Sequence, residues 1–89
     1  MQPIMKHFAN ANFWTCYKKL PLPIQELADK NFKLLKEDSN HPSLHLKKVG
    51  RFWSVRVGIK YRALAVEINE GLIWFWIGTH AEYDKLISS

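Results

Sequence analysis

The chain has 89 residues, with 13 lysines and arginines against 8 acids, a net charge of +5 and a single cysteine. That length makes one small domain, residues 1–89, and one cysteine excludes an intrachain disulfide and favours a reducing compartment. The longest apolar run, GLIWFWIG, is far short of a membrane span, and MQPIMKHFANANF lacks the apolar core of a signal peptide, so a soluble cytoplasmic protein with no membrane partner is expected.

Residues 8–20, FANANFWTCYKKL, predict a first helix, because Phe13, Trp14, Tyr17 and Leu20 recur at spacings of three and four. Cys16 falls in this apolar stretch and reads as a packed residue. Pro21 and Pro23 end the helix, since proline lacks the N–H that a continuing helix needs. Residues 23–38 predict a second helix, with Pro23 in its first turn and an apolar stripe of Ile24, Leu27, Ala28, Leu34 and Leu35. The two make an antiparallel hairpin joined by PLP.

Residues 39–43, SNHPS, read as a loop, and LHLKKV (44–49) as a weakly alternating first strand. FWSVRV (52–57) and YRALAVEI (61–68) are strong strands joined by Gly58-Ile59-Lys60. Asn69-Glu70-Gly71 is a turn into LIWFWIG (72–78), which is apolar on both faces and reads as a well-covered strand. A short helix follows. The expected fold is α+β: an N-terminal helical hairpin packed on an antiparallel sheet of three to four strands, with a short C-terminal helix and one sheet face left open.

The basic charge is not spread evenly. From Ser39 to Val66 there is no Asp or Glu, yet the stretch holds Lys47, Lys48, Arg51, Arg56, Lys60 and Arg62. A solvated basic face is the ordinary explanation; an anion-binding face is the functional one. A three-residue loop at 58–60 pairs Val57 with Tyr61 and places Arg56 opposite Arg62. Like charges across a strand pair repel, and an anion between them relieves the repulsion. Guanidinium forks suit phosphate.

In GTHAEY, Thr79 and Glu82 have the spacing of a capping box, which accounts for both structurally. His80 then opens the helix, with Tyr83 one turn on along the same face. A histidine there is either a surface residue at a helix start or a proton carrier beside a bound phosphate. His41 and His45 are lesser acid–base candidates; His45 is expected to pack or lie at a sheet edge, and His7 receives no role. CxxC, HExxH, a phosphate-binding glycine loop and a G-x-S-x-G elbow are all absent from the sequence, and the acid-free window argues against a two-metal nuclease. No metal or cofactor is called for.

HPSLHLKKV, FWSVRVGIKYRALAV and WFWIGTHAEYDKL, behind two helices, resemble the RelE/ParE superfamily of bacterial type II toxins over about residues 8–87. The resemblance implies a toxin neutralised by a co-encoded antitoxin in a hetero-oligomer. RelE-like members cut mRNA in the ribosomal A site without a metal: the 2′-OH attacks the adjacent phosphate, leaving a cyclic phosphate and a free 5′-OH. Carried over, Arg56, Arg62, His80 and Tyr83 are the catalytic candidates; several members place an aromatic residue right beside the histidine or in a short tail, whereas Tyr83 lies three residues on. Lys47, Lys48, Arg51 and Lys60 would hold message or ribosomal RNA. The alternatives are a ParE-like inhibitor of DNA gyrase acting by protein contact, and a degenerate toxin-fold binding module.

Overall fold

The computed structural model describes residues 6–88; the first five residues, part of the stretch read for a signal peptide, and the last one lie outside it. Five strands, β1 (Lys6–Ala9), β2 (Lys47–Val49), β3 (Phe52–Val57), β4 (Tyr61–Ile68) and β5 (Gly71–Thr79), form one sheet in the order β1-β5-β4-β3-β2. Three helices accompany them: α1 (Ala11–Tyr17), α2 (Leu22–Glu37) and α3 (His80–Ser88). The α+β architecture is as expected, with a helical hairpin against the sheet. The sheet, however, is mixed rather than antiparallel, because β1 runs parallel to β5.

The expected first helix is therefore a strand and a shorter helix. Asn10 divides them. Its N–H donates to the Trp74 carbonyl (3.1 Å), closing the strand pairing, while its side chain accepts from the Phe13 N–H (3.0 Å) and caps α1. A four-residue strand is too short to show a period, and its partner lies some sixty residues further on, so local pattern favoured the helix. Gly71 admits this strand: a Cβ there would collide with the Lys6 backbone. Of the expected first strand at 44–49 only Lys47–Val49 forms β2, while Leu44 closes a 3₁₀ turn (Pro42–Leu44) that begins in the expected loop. His41 makes that turn, its Nδ1 accepting from the Ser43 N–H, and fully buried Leu44 pins it to the core. His45 is exposed and left-handed (φ 47°), neither packed nor on a strand edge.

The core lies between the helices and one sheet face. Phe13, Ala28 and Leu35 meet Val55, Val57, Ala63, Ala65, Leu72, Trp74 and Ile77 there, and half-buried Cys16 packs against them. Each fully buried aliphatic side chain stabilises the fold by about 1.5–3 kcal/mol. Ala63 and Ala65 leave room on the central strand for Trp74, which is 1% exposed. The Trp74 indole N–H donates to His7 Nδ1 (3.1 Å), so His7 is a core residue, a role the sequence reading did not give it.

An irregularity in the β4–β5 ladder explains the strand that is apolar on both faces. Leu64 pairs with Trp76 and Ala65 with Trp74, leaving Phe75 as an extra residue on β5. The bulge keeps Trp74 and Ile77 both toward the helices and turns Trp76 to the other face. Asn12 Nδ2 donates to the freed Phe75 carbonyl (2.7 Å).

Candidate functional site

The β3–β4 hairpin turns at residues 58–60, with Gly58 at φ +67°, a conformation that L side chains resist. This loop pairs Val57 with Tyr61 and Arg56 with Arg62. Both arginines are half-buried on the face away from the helices. Burial is the larger cause, and the Arg56 charge the second, that lowers the Arg62 pKa from its ordinary value; Tyr83 and Asp84 partly oppose this. Arg62 Nη1 donates to the Tyr61 carbonyl (2.8 Å), which holds its guanidinium against the hairpin tip. Arg56 is positioned through its backbone, since Asn31 of α2 donates to the Arg56 carbonyl (3.2 Å). Its Nε is buried with no acceptor. A buried donor without a partner carries a desolvation cost that an anion would remove.

Gly78 of β5 pairs with Arg62, so the strand's end and the start of α3 lie beside the arginine row. The capping box is formed: the Thr79 N–H and hydroxyl donate to Glu82 Oε1 (3.0 and 2.9 Å), and the Glu82 N–H donates back to Thr79 Oγ1 (3.2 Å). Those bonds from Thr79 hold the Glu82 carboxyl below the usual carboxylate range. The His80 N–H donates to the Lys60 carbonyl (2.8 Å), tying the helix start to the hairpin tip. The His80 amide is thus engaged and does not donate to a phosphate; the exposed imidazole is the group that could. The ring lies 5.6 Å from that of Tyr83, centroid to centroid. Tyr83 is 6% exposed, a wall to the site rather than an open group.

Asp84 was not among the residues singled out from sequence. Its Oδ2 lies 3.1 Å from His80 Nδ1. A carboxylate there favours the tautomer with the proton on Nδ1 and leaves Nε2 to accept one. The i,i+4 spacing of His80 and Asp84 on one helix was the available signal.

The structure brings Arg56, Arg62, His80 and Tyr83 to one end of the open face, with exposed Lys60 in the adjoining loop. The other basic residues lie at the opposite edge. Lys47 and Lys48 lie within β2 on opposite faces, and Arg51 lies in the turn before β3, with its guanidinium 5.3 Å from the Phe52 ring centre. His41 is engaged in its turn, as described. A cavity of about 270 Å³ between the C-terminal end of α1 and β5, lined by residues such as Cys16, Lys19 and Trp76, includes none of the predicted site residues. No group of three or more His, Cys, Asp or Glu with metal-binding geometry occurs among the described residues. Among those residues, no helix is long and apolar enough to cross a membrane.

No protein-family model and no curated protein matches this sequence. Solved structures do. A RelB–RelE antitoxin–toxin complex from Methanococcus jannaschii matches with a TM-score of 0.71 at 14% identity, covering 89% of this chain and 96% of that one. A copper-bound mutant toxin from Helicobacter pylori matches at 0.64 and 19%, covering 88% and 97%. The isolated Escherichia coli RelE toxin matches at 0.61 and 13%, covering 94% and 96%. At such identities the likeness is one of architecture, and it covers nearly all of each chain: this protein has the fold of the RelE toxins.

Proposed function

We propose that the protein is the toxin of a type II toxin–antitoxin system, acting in the cytoplasm as a metal-independent, ribosome-dependent mRNA endoribonuclease. The observation that carries this reading is the Arg56–Arg62 pair. Two guanidinium groups face one another across β3 and β4, one with a buried and unpartnered Nε, and neither forms an ion pair among the described residues. A phosphodiester between them satisfies both, and the added charge of a pentacoordinate phosphorus is held more strongly than the ground state.

The chemistry then follows from α3. His80 Nε2, with Nδ1 bonded to Asp84, accepts the proton of the RNA 2′-OH. The 2′-oxygen attacks the adjacent phosphorus, and the bond from phosphorus to the 5′-oxygen breaks. The leaving oxygen takes a proton from solvent, giving a cyclic phosphate and a 5′-OH. Lys60 lies where it would steer the backbone toward the arginines, and Lys47, Lys48 and Arg51 extend the positive field to the far edge of the sheet. An antitoxin protein is the expected partner, as RelB is in the archaeal complex.

The test is cell-free translation of a defined message with and without the protein, with message ends mapped by primer extension. New ends that require active ribosomes, and that are absent with His80→Ala or Arg62→Ala, support the reading. Intact message with undisturbed translation refutes it and leaves gyrase contact or an inactive toxin fold, for which a supercoiling assay decides.

A further inference from the structure

The ladder registers align side chains into rows across the open face. One row runs Val49, Phe52, Val66, Ile73 and Phe8, one residue from each strand. Phe8 is 41% exposed and the other four are half-buried. Phe75, displaced by the β5 bulge, packs its ring 5.5 Å from that of Phe52, and the Arg51 guanidinium lies over the Phe52 ring. The next row is Lys47, Ser54, Leu64 and Trp76, in which Ser54 and Leu64 are buried, and the third is Arg56, Arg62 and Gly78. No carboxylate occurs in any of the three. Phe52 and Arg56 share a face four residues apart, a separation of about 13 Å along the strand.

An apolar row on an otherwise basic face has two natural occupants, the apolar side of an acidic helix or the bases of a single strand. Three features favour the bases. Half-buried Phe52 and Phe75 lie ring beside ring on that face with exposed Phe8 at its edge, the Arg51 guanidinium lies 5.3 Å from the Phe52 ring centre, and the row lies along the strand direction from the arginine pair. Sheets that read single-stranded RNA use this combination of ring faces for bases and cations for the backbone.

We propose that Phe52 and Phe75, with Phe8 at the outer edge, form a base-stacking platform for RNA nucleotides a few positions from the phosphate held at Arg56 and Arg62. The platform rests on the reading of those arginines as a phosphate site. It anchors the strand so that the scissile phosphate lies between the guanidinium groups, and it is sequence-tolerant, because every base offers a π face.

The test is fluorescence anisotropy with a labelled single-stranded 2′-O-methyl RNA, which cannot cleave itself, and an abasic twin with the same backbone. Wild-type protein should bind the base-bearing strand about tenfold or more tighter than its twin. F52L and F75L should each lose about tenfold on the base-bearing strand with the salt dependence unchanged, and bind the abasic twin as wild type does. F52W should retain binding. R56A and R62A should weaken both strands and flatten the salt dependence. Equal binding of the two strands by wild type, or undiminished binding by folded F52L and F75L while R56A and R62A fail, overturns the platform and leaves the phosphate site standing. The same result would follow if the row serves a protein helix. Absence of binding to either strand overturns the platform, and the cell-free translation assay decides the nuclease reading separately. The comparison of the two strands on wild-type protein needs no variant to fold.

Discussion

His80, Asp84 and the two arginines divide the proposed chemistry between them, and each role has its own signature. Replacing His80 with Gln removes the proton acceptor and is expected to lower cleavage by about 10²–10⁴-fold. Asp84 acts through His80, so Asp84→Asn should cost more than about tenfold and shift the pH profile of cleavage. Both side chains are substantially exposed, and thermal stability should be unchanged. Cleavage assays across pH, with melting curves as the control, check this; a wild-type pH profile for Asp84→Asn would remove Asp84 from the mechanism.

His7 is a core residue whose titration bears on stability. Burial, and then the charge of Lys36, lower its pKa below the ordinary 6.5. Its Nδ1 must remain unprotonated to accept from Trp74, and its Nε2 is buried without a partner. Below pH 6.5 the unfolded chain takes up a proton that the folded chain resists, so the unfolded state binds more protons and stability rises with pH. The melting temperature should therefore fall as pH drops from 6.5 toward the folded-state pKa. His7→Gln keeps an acceptor for the indole but does not titrate, and it should flatten this dependence. Equal pH slopes for the two proteins would show that His7 does not carry it.

At the level of elements, the parallel β1–β5 contact depends on Gly71. A methyl group there meets the Lys6 backbone, so either β1 moves or the turn opens. Gly71→Ala is expected to cost about 1–3 kcal/mol, the usual range for overpacking, and to speed hydrogen exchange in residues 6–9. An unshifted denaturation midpoint would mean that β1 adds little to the fold. The α3 cap and the hairpin tip are coupled by the bond from the His80 N–H to the Lys60 carbonyl. The histidine is thus positioned by two elements rather than by its own helix alone.

For the whole molecule, the mixed sheet leaves one face to the helices and one bearing both the arginine pair and an apolar row. On the proposed function, a positive, partly apolar face suits an inhibitory partner that is acidic and amphipathic. Saturation by such a partner at a hundred times its Kd adds about 2.7 kcal/mol to stability. For a domain this small that amounts to a rise in Tm of roughly ten degrees or more. Thermal melts with a candidate antitoxin of that chemistry test this, and an unchanged Tm would argue against that candidate.

Sequence alone determined what depends on near neighbours. The second helix, the 52–57/61–68 hairpin and its register, the facing arginines and the Thr79–Glu82 cap all follow from spacing within about ten residues. Tertiary structure decided what depends on distant ones. β1 is a strand because Asn10 and Gly71 let four residues pair with a segment far along the chain. His7 is a core residue because Trp74 reaches it across that pairing. Phe75 faces outward because a bulge shifts β5, and the apolar row exists only when five strands are brought into register. Local periodicity reports the face of an element, whereas pairing between remote elements is set by packing that no short window contains.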